Sequence, residues 1–475
     1  MSRSARPAHA FVTLPAVLTA LLATALLAGC SRPSSPPPGP GQSPLPVDGV
    51  WRSVGYGWIF SVRAGRAEWF ETTAVSCLPS RTLRQLGKAG TDGTVRFGDK
   101  HGAERATLRR SDDGHGVLSL TGDVADVDLV SLPDLPPSCS RETPDDPLTT
   151  FDVFWATFAE NYNSFGRKHV NWDAVRAKYR PMITTATSDS QLYQILVDMV
   201  EPLGDAHVCV QGPDNRSFCG KRSGTRDVTD VPRRAATTAV NTYLREDLGV
   251  SDIQTFGDGK IAYADLPDGL GYLRITAFQD YGGDDQGLYP DGAAMSTALA
   301  AVFTQARVRE WRGLVIDVRW NDGGDDVLAL QVAGRLTNAA YVAYAKAARV
   351  DPHDRTRHGP VRPVIVMPAD GPRYTGPVRL LVSDLTVSAG ETFTEALMGR
   401  APAPTRIGST TQGVFSDDMK RQLPNDWTFT LGNEEFLAPD GKDYEGVGIP
   451  PTVHVPVFTP AQLAQHQDFA LSVPW

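Results

Sequence analysis

Leu385-Thr386-Val387-Ser388-Ala389-Gly390-Glu391 is the stretch on which the reading of this chain turns. Before it, Val378-Arg379-Leu380-Leu381-Val382 is apolar and β-branched, the pattern of a short buried strand. After it, Glu391 to Met398 reads as a helix with a carboxylate in its first turn, where the helix dipole favours negative charge. Ser388 therefore stands where a strand passes into a helix. Backbone N–H groups at a helix start lack intrahelical acceptors and point at whatever the hydroxyl attacks, which suits a nucleophile. The position suits a plain N-cap equally well, so the rest of the chain has to separate the two readings.

The surrounding half alternates strands and helices. Leu270 to Thr276, Gly313 to Val318, Pro363 to Met367 and Thr405 to Gly408 read as strands, Ala294 to Val308 and Val327 to Leu336 as helices. That order predicts α/β layering on a substantially parallel sheet. After Val315-Ile316-Asp317-Val318 comes Arg319-Trp320-Asn321-Asp322-Gly323-Gly324, where paired glycines let the backbone turn tightly and turn its N–H groups outward. Upstream, Thr150 is placed to cap a helix carrying Phe151, Phe154, Trp155, Phe158 and Tyr162 on one face, a core stripe. Two further helices, Trp172 to Tyr179 and Ser190 to Val200, lead to Leu203-Gly204-Asp205-Ala206-His207. His207 lies on a connection rather than a helix face, the best-placed histidine for a base.

Residues 1–30 are excluded from the fold: Arg3, Arg6 and His9 precede an apolar run ending Leu27-Ala28-Gly29-Cys30, a secretory signal resembling a bacterial lipobox with Cys30 as the lipidated residue. Residues 31–46 are a Pro/Ser linker. From Val47 to Leu132 short β-like runs alternate with turns such as Asp92-Gly93, predicting a small antiparallel sandwich or barrel over 47–140 whose default role is a spacer or recognition module. The helical subdomain spans 148–210, the α/β core 211–460 and a C-terminal tail 461–475. The net charge of −9 on 475 residues, without a long Lys/Arg run, excludes a nucleic-acid partner. Besides Cys30 the cysteines are Cys77, Cys139, Cys209 and Cys219, an even number that argues for disulfides in an exported chain. Of three pairings, Cys77–Cys139 and Cys209–Cys219 are favoured. Metal-ligand spacing is missing, so neither metal nor other cofactor is expected.

A histidine on a connection, a Gly-Gly strand end and a serine at a strand–helix elbow share one explanation, acyl transfer, which needs a nucleophile, a base and oxyanion donors. From Phe151 to Val457 the chain resembles the tricorn-core and C-terminal-processing family of serine peptidases, with their ClpP/crotonase-like core. The motifs are Phe151-Asp152-Val153-Phe154-Trp155 through Asp205-Ala206-His207; Asp317 to Gly324; Thr386 to Glu391; and Tyr444-Glu445-Gly446-Val447-Gly448-Ile449-Pro450-Pro451. The resemblance implies Ser388 as nucleophile, His207 as base and Glu445 as orienting carboxylate. It implies an oxyanion hole from the N–H groups of Ala389 and of Gly323 or Gly324. One branch of the family uses a lysine base, but the corresponding segment, Gly408 to Gly413, has none, and Lys420 is outside the motif. Where tricorn has a serine before the histidine this chain has Ala206, which makes Asp205 a rival orienter. Only Gln211 to Gly269 stands where the processing branch inserts a PDZ domain, too short for one. Asp417 and Asp418 could attract a basic side chain near the cleavage site, or be solvated turn residues.

The expectation is thus a multi-domain chain: an N-terminal all-β domain, a helical subdomain and an α/β serine peptidase core. It acts on a peptide or protein substrate at the outer face of the bacterial membrane, anchored by lipid. The alternatives are a non-catalytic ligand-binding lipoprotein, since a retinoid-binding protein shares the fold, and an adhesin-like structural protein.

Overall fold

In the computed structural model, residues 47–111, 114–282 and 288–475 are described; the signal segment with Cys30 and the linker 31–46 lie outside them. Eight strands between Gly49 and Leu132 close into a barrel, the first pairing with the last through Val50↔Leu132 and Ser53↔Leu129. Period-two alternation turns Trp51, Phe60, Trp69, Phe97, Leu108 and Leu129 inward, which settles barrel over sandwich. Cys77, at the start of the strand Cys77–Gln85, is bonded to Cys139 in the short helix that follows the last strand. Cys209 is bonded to Cys219 across the hairpin Cys209–Gln211/Ser217–Cys219.

The first α-helix is Pro147–Asn161, and its cap is Asp146, whose carboxylate accepts from the N–H groups of Leu148 and Thr149. Thr150 is not the cap: Pro147 fits the first helical position without needing an N–H donor, which moves the start upstream. Phe151, Phe154, Phe158 and Tyr162 are buried as a stripe and pack on one another and on Phe429. That stripe, the barrel interior and Met419, Phe429 and Leu431 form one continuous hydrophobic core. The barrel is therefore fused to the helical region rather than tethered to it.

The α/β core is built on a seven-stranded sheet ordered Gln254–Phe256, Ile261–Leu266, Leu270–Ile275, Gly313–Asp317, Val378–Val382, Thr405–Gly408, Val453–His454. The first three strands are antiparallel and the remainder parallel. The helix expected over Ala294 to Val308 is two, Leu288–Val302 and Gln305–Glu310, separated where Thr304 turns to cap the N–H of Arg307. The segment from Gln211 to Gly269 supplies the helix Arg233–Glu246 and two strands to the core, with Ala236, Val240 and Leu244 packed on Tyr272 and Val315. The tail is also part of the fold. Arg319, fully buried, is chelated by Asp317 and by Asp468, at 2.6–2.9 Å, and Tyr272 donates to Asp317 at 2.7 Å. No described helix is long and apolar enough to cross a membrane.

Removing one partner of a buried ion pair leaves a charge without compensation. Asp468→Ala is expected to destabilise the chain by about 3–5 kcal/mol, read as a fall in Tm by calorimetry, while Tyr243→Phe, at an exposed contact to Ser472, leaves Tm within a degree or so.

Candidate active site

Parallel pairing of Leu314–Asp317 with Val378–Leu381 brings two strand ends to the same sheet edge, the glycine loop after one and the serine elbow after the other. Asn321 locks them together. Its carbonyl accepts from Val387 N–H at 2.9 Å, its Nδ2 donates to the Ile275 carbonyl at 3.0 Å, and its Oδ1 accepts from Gly323 N–H at 2.9 Å. It is fully buried, and a Cβ on Gly390 would fall 2.8 Å from its Oδ1. Further bonds seat the elbow: Thr386 Oγ1 donates to the Val318 carbonyl, Ser383 Oγ to the Arg319 carbonyl.

Ser388 sits at φ 54°, ψ −121°, a conformation costly for a side chain with a Cβ, directly before the helix Ala389–Met398. Its side chain does not cap that helix. The plain N-cap reading therefore fails, and the strained turn presents the hydroxyl instead. Gly323, at φ +90°, approaches so closely that a Cβ there would lie 2.6 Å from Ser388 Cβ and 3.2 Å from its Oγ. Gly323 N–H is held by Asn321, whereas the N–H groups of Gly324, φ +125°, of Ser388 and of Ala389 at the helix start have no protein acceptor among the described residues. Of the two glycines, the geometry favours Gly324 as donor.

His207 follows the left-handed Gly204 and is held by its backbone: its carbonyl accepts from Thr430 Oγ1 at 2.6 Å, its N–H donates to Asp205 Oδ1 at 2.9 Å. Asp205 Oδ2 accepts from Tyr162 at 2.7 Å. Each Asp205 oxygen thus accepts a bond from another group, and neither bonds the imidazole Nδ1. His207 Nδ1 and Glu445 Oε1 are both buried without a hydrogen-bond partner among the described residues. The two side chains lie within electrostatic reach of each other.

Two buried carboxylates suspend the loop beside the elbow. Glu391 accepts from Gly413 and Val414 N–H at 2.7 and 2.8 Å, Glu445 from Phe415 and Ser416 at 2.9 and 3.4 Å. Burial pushes Glu391 up to about 8, against its hydrogen bonds. Burial, then Asp205, pushes Glu445 up to about 7, against Lys168, whose Nζ is 3.8 Å from Oε1. Several residues of the site were missed in the sequence. Arg222 donates to the carbonyls of Thr411 and Gln412, and Arg226 forms a two-pronged pair with Asp384 just before the elbow. Lys346, buried, pairs with Asp417 and Glu434, so Asp417 is an ion-pair partner whose side chain is still 42% exposed; Asp418 is exposed. Among the described residues no cluster could hold a metal ion.

Such a constellation defines a serine-type peptidase fold. Residues 269–455 match the family model for Peptidase family S41, and residues 144–201 that for the Tricorn protease C1 domain. The chain carries a peptidase family S41 domain joined to a tricorn C1 segment, and its class is that of the serine-type peptidases, which are hydrolases. His207 lies between the two matched stretches. The structure is similar to that of a protein of Parabacteroides merdae ATCC 43184 assigned to the peptidases, with 21% identity, 69% of this chain and 95% of that one covered, and a TM-score of 0.57. It is also similar to mature CPAF complexed with lactacystin (13% identity, 68% and 95% covered, TM-score 0.49) and to the tricorn protease (15%, 87% and 44%, 0.42). None of the curated proteins compared with the chain matches it.

Gly323→Ala places a methyl group where Ser388 already stands. The expected result is a loss of peptidase activity of about 10²-fold or more, measured as kcat/KM on any peptide the wild type cleaves, with the far-UV dichroism of the wild type retained.

Proposed function

We propose that the chain is a lipid-anchored, extracytoplasmic serine endopeptidase that hydrolyses peptide bonds through an acyl-enzyme on Ser388. The observation that carries this reading is the strained Ser388 turn, pressed against Gly323 at the start of the helix Ala389–Met398. In the reading, Ser388 Oγ attacks the scissile carbonyl while His207 Nε2 takes its proton. The carbonyl oxygen becomes an oxyanion on Gly324 and Ala389. Collapse breaks the C–N bond, and His207 returns the proton to the departing amine. Water, deprotonated by His207, then releases the acyl group and restores the serine. No cofactor enters any step.

Glu445 serves as the carboxylate that supports the imidazolium. With Ala206 before the histidine, its Oε1 would reach Nδ1–H through one water molecule, a coupling supported by two buried atoms that have no hydrogen-bond partner among the described residues. Asp205 is spent on fixing the backbone. The export and anchor rest on the signal segment and Cys30, and the two disulfides fit an oxidising compartment. The non-catalytic binding alternative gives no reason to strain a serine against a glycine.

Labelling of the full-length protein with a fluorophosphonate probe tests the chemistry: the wild type should react, Ser388→Ala and His207→Ala should not. A folded wild type that stays unlabelled would return the weight to ligand binding. The pH dependence has a definite sign. Glu445 supports the imidazolium only when ionised, so kcat/KM should climb as pH rises through about 7. Glu445→Gln should lower it by about 10²–10⁴-fold. Stability runs the other way. Glu391 and Glu445 have folded pKa values raised above 4.5, so the fold binds their protons more tightly than the unfolded chain, and Tm should fall as pH rises from about 4.5 to 8.

A further inference from the structure

Between the barrel and the peptidase core lies a cavity of about 350 Å³, walled by Trp58, Trp69 and Asp123 on the barrel side and by Gly324, Asp417 and Asn433 on the core side. Its position bears on the reaction. The barrel turn after the strand His115–Leu120 packs against the residue following Gly324: a Cβ on Gly122 would lie 3.3 Å from Asp325 Oδ1. The cavity thus ends on the loop that carries the proposed oxyanion donor. A peptide chain advances only about 3.3–3.6 Å per residue when extended, so a side chain entering there belongs to a residue next to, or one removed from, the scissile bond.

The cavity is electrically polarised. At the barrel end, Arg81 lies over Trp69 at 4.6 Å and Arg421 over Trp58 at 5.6 Å. At the Gly324 end the carboxylates outnumber the cations. Lys346 is the buried cation there, and it is shared by Asp417 and Glu434, with Asp123 and Asp326 within its field. Asp326 is satisfied by the hydroxyls of Thr392 and Tyr344, Glu434 also by that of Tyr56. Asp123 has no side-chain hydrogen bond among the described residues. Burial, with Asp417, Asp326 and Asp325 adding to it, pushes Asp123 up to about 7 against the pull of Lys346, and burial lifts Glu434 to about 8. The acids lining the cavity outnumber its bases, Arg81, Arg105 and Lys420, and a cation bound there would draw Asp123 and Glu434 into their ionised forms. A metal ion does not match that deficit, because among the described residues no set of carboxylates converges as a coordination shell, and the space is far larger than an ion. Asn433, 1% exposed and lining the same cavity, has an Nδ2 without a partner, a donor ready for a peptide carbonyl.

Building on the peptidase reading above, we propose that this cavity is a substrate subsite for a lysine or arginine side chain flanking the scissile bond, with Asp123 of the barrel and Asp417 of the core as its specificity-determining carboxylates. The barrel is then a wall of the active site, not a spacer.

The test is digestion of a proteome-derived peptide mixture by the full-length protein, with the new termini read by mass spectrometry. Matched peptides carrying lysine or norleucine at the preferred position then give two kcat/KM values. The expected result is enrichment of lysine and arginine at one position within two residues of the cut. The lysine-to-norleucine ratio should fall about tenfold or more in Asp123→Asn and recover in Asp123→Glu, a rescue that a misfolded barrel could not show. Cleavage without basic enrichment, or a ratio unchanged in Asp123→Asn, overturns the subsite and leaves the peptidase reading standing. No cleavage at all, together with an unlabelled Ser388, overturns both.

Discussion

Everything at this site depends on Asn321. It makes three hydrogen bonds to three segments while fully buried, and it packs its side chain on Gly390. A buried amide is tolerated only when its polar atoms are paired. This one satisfies the rule by joining the strand that ends at Ile275, the glycine loop and the serine elbow. The consequences follow by exclusion. With the elbow drawn against the loop there is no room for a side chain at 323, and Ser388 is driven to positive φ. With Gly323 N–H occupied, the N–H groups of Gly324 and of the helix start remain without a protein acceptor among the described residues.

The suspended loop 413–416 answers a second constraint. The four N–H groups of Gly413, Val414, Phe415 and Ser416 all point inward, and each needs an acceptor. Glu391 and Glu445 supply them in pairs. Each carboxylate is raised toward neutrality by its own burial, and the hydrogen bonds from the loop pull the other way. The family resemblance has one branch placing a lysine base in this region. Here the loop is given over to two acids, and the proposed base comes from the helical segment more than 180 residues upstream of Ser388. A base from so far away in sequence has to be fixed by tertiary contacts. Thr430 holds the His207 carbonyl, and Arg222 holds the carbonyls of Thr411 and Gln412; Gln412 N–H in turn donates to the Thr386 carbonyl of the elbow.

Residues that carry local signals were legible in the sequence. The elbow, the paired glycines and the helices Trp172–Tyr179 and Asp189–Val200 declare themselves through period, turn chemistry and motif order. So did the α/β layering, because the central parallel strand Gly313–Asp317 is a short apolar run between helices. What stayed hidden is what depends on distant partners. Nothing local marks Arg222, Arg226 or Lys346 as other than surface charges; only folding brings Asp384, Thr411 and Glu434 to them. The choice between Gly323 and Gly324 turned on a hydrogen bond from a side chain two residues away. The choice between Asp205 and Glu445 turned on which oxygens were already engaged. The start of the first helix lies at Asp146 rather than Thr150 because two capping residues stand close together and Pro147 fits the first helical position.

The barrel carries this furthest, since its strands read as a separate module while its inner surface is continuous with the rest. Its core merges with the aromatic stripe of the helical region, and polar contacts pin its rim: Arg362 to Asp128 at 2.6 Å, Gln422 N–H to Glu71 at 2.9 Å, Ala74 N–H to Glu160 at 2.8 Å and Tyr56 to Glu434 at 2.7 Å. A spacer needs no such fit, and domains that move relative to one another meet across smaller, more polar surfaces. Selecting a substrate side chain does need it, because a wall displaced by an ångström loses the pairing that distinguishes one side chain from another. Tyr56 shows the economy of the arrangement. It belongs to the barrel, stacks on Trp58 at the cavity wall, and donates to Glu434 in the charge cluster around Lys346. Through that hydroxyl the barrel is wired to the same carboxylates that face the proposed subsite, so a shift of the barrel would alter the charge beside Gly324 as well as the shape of the cleft.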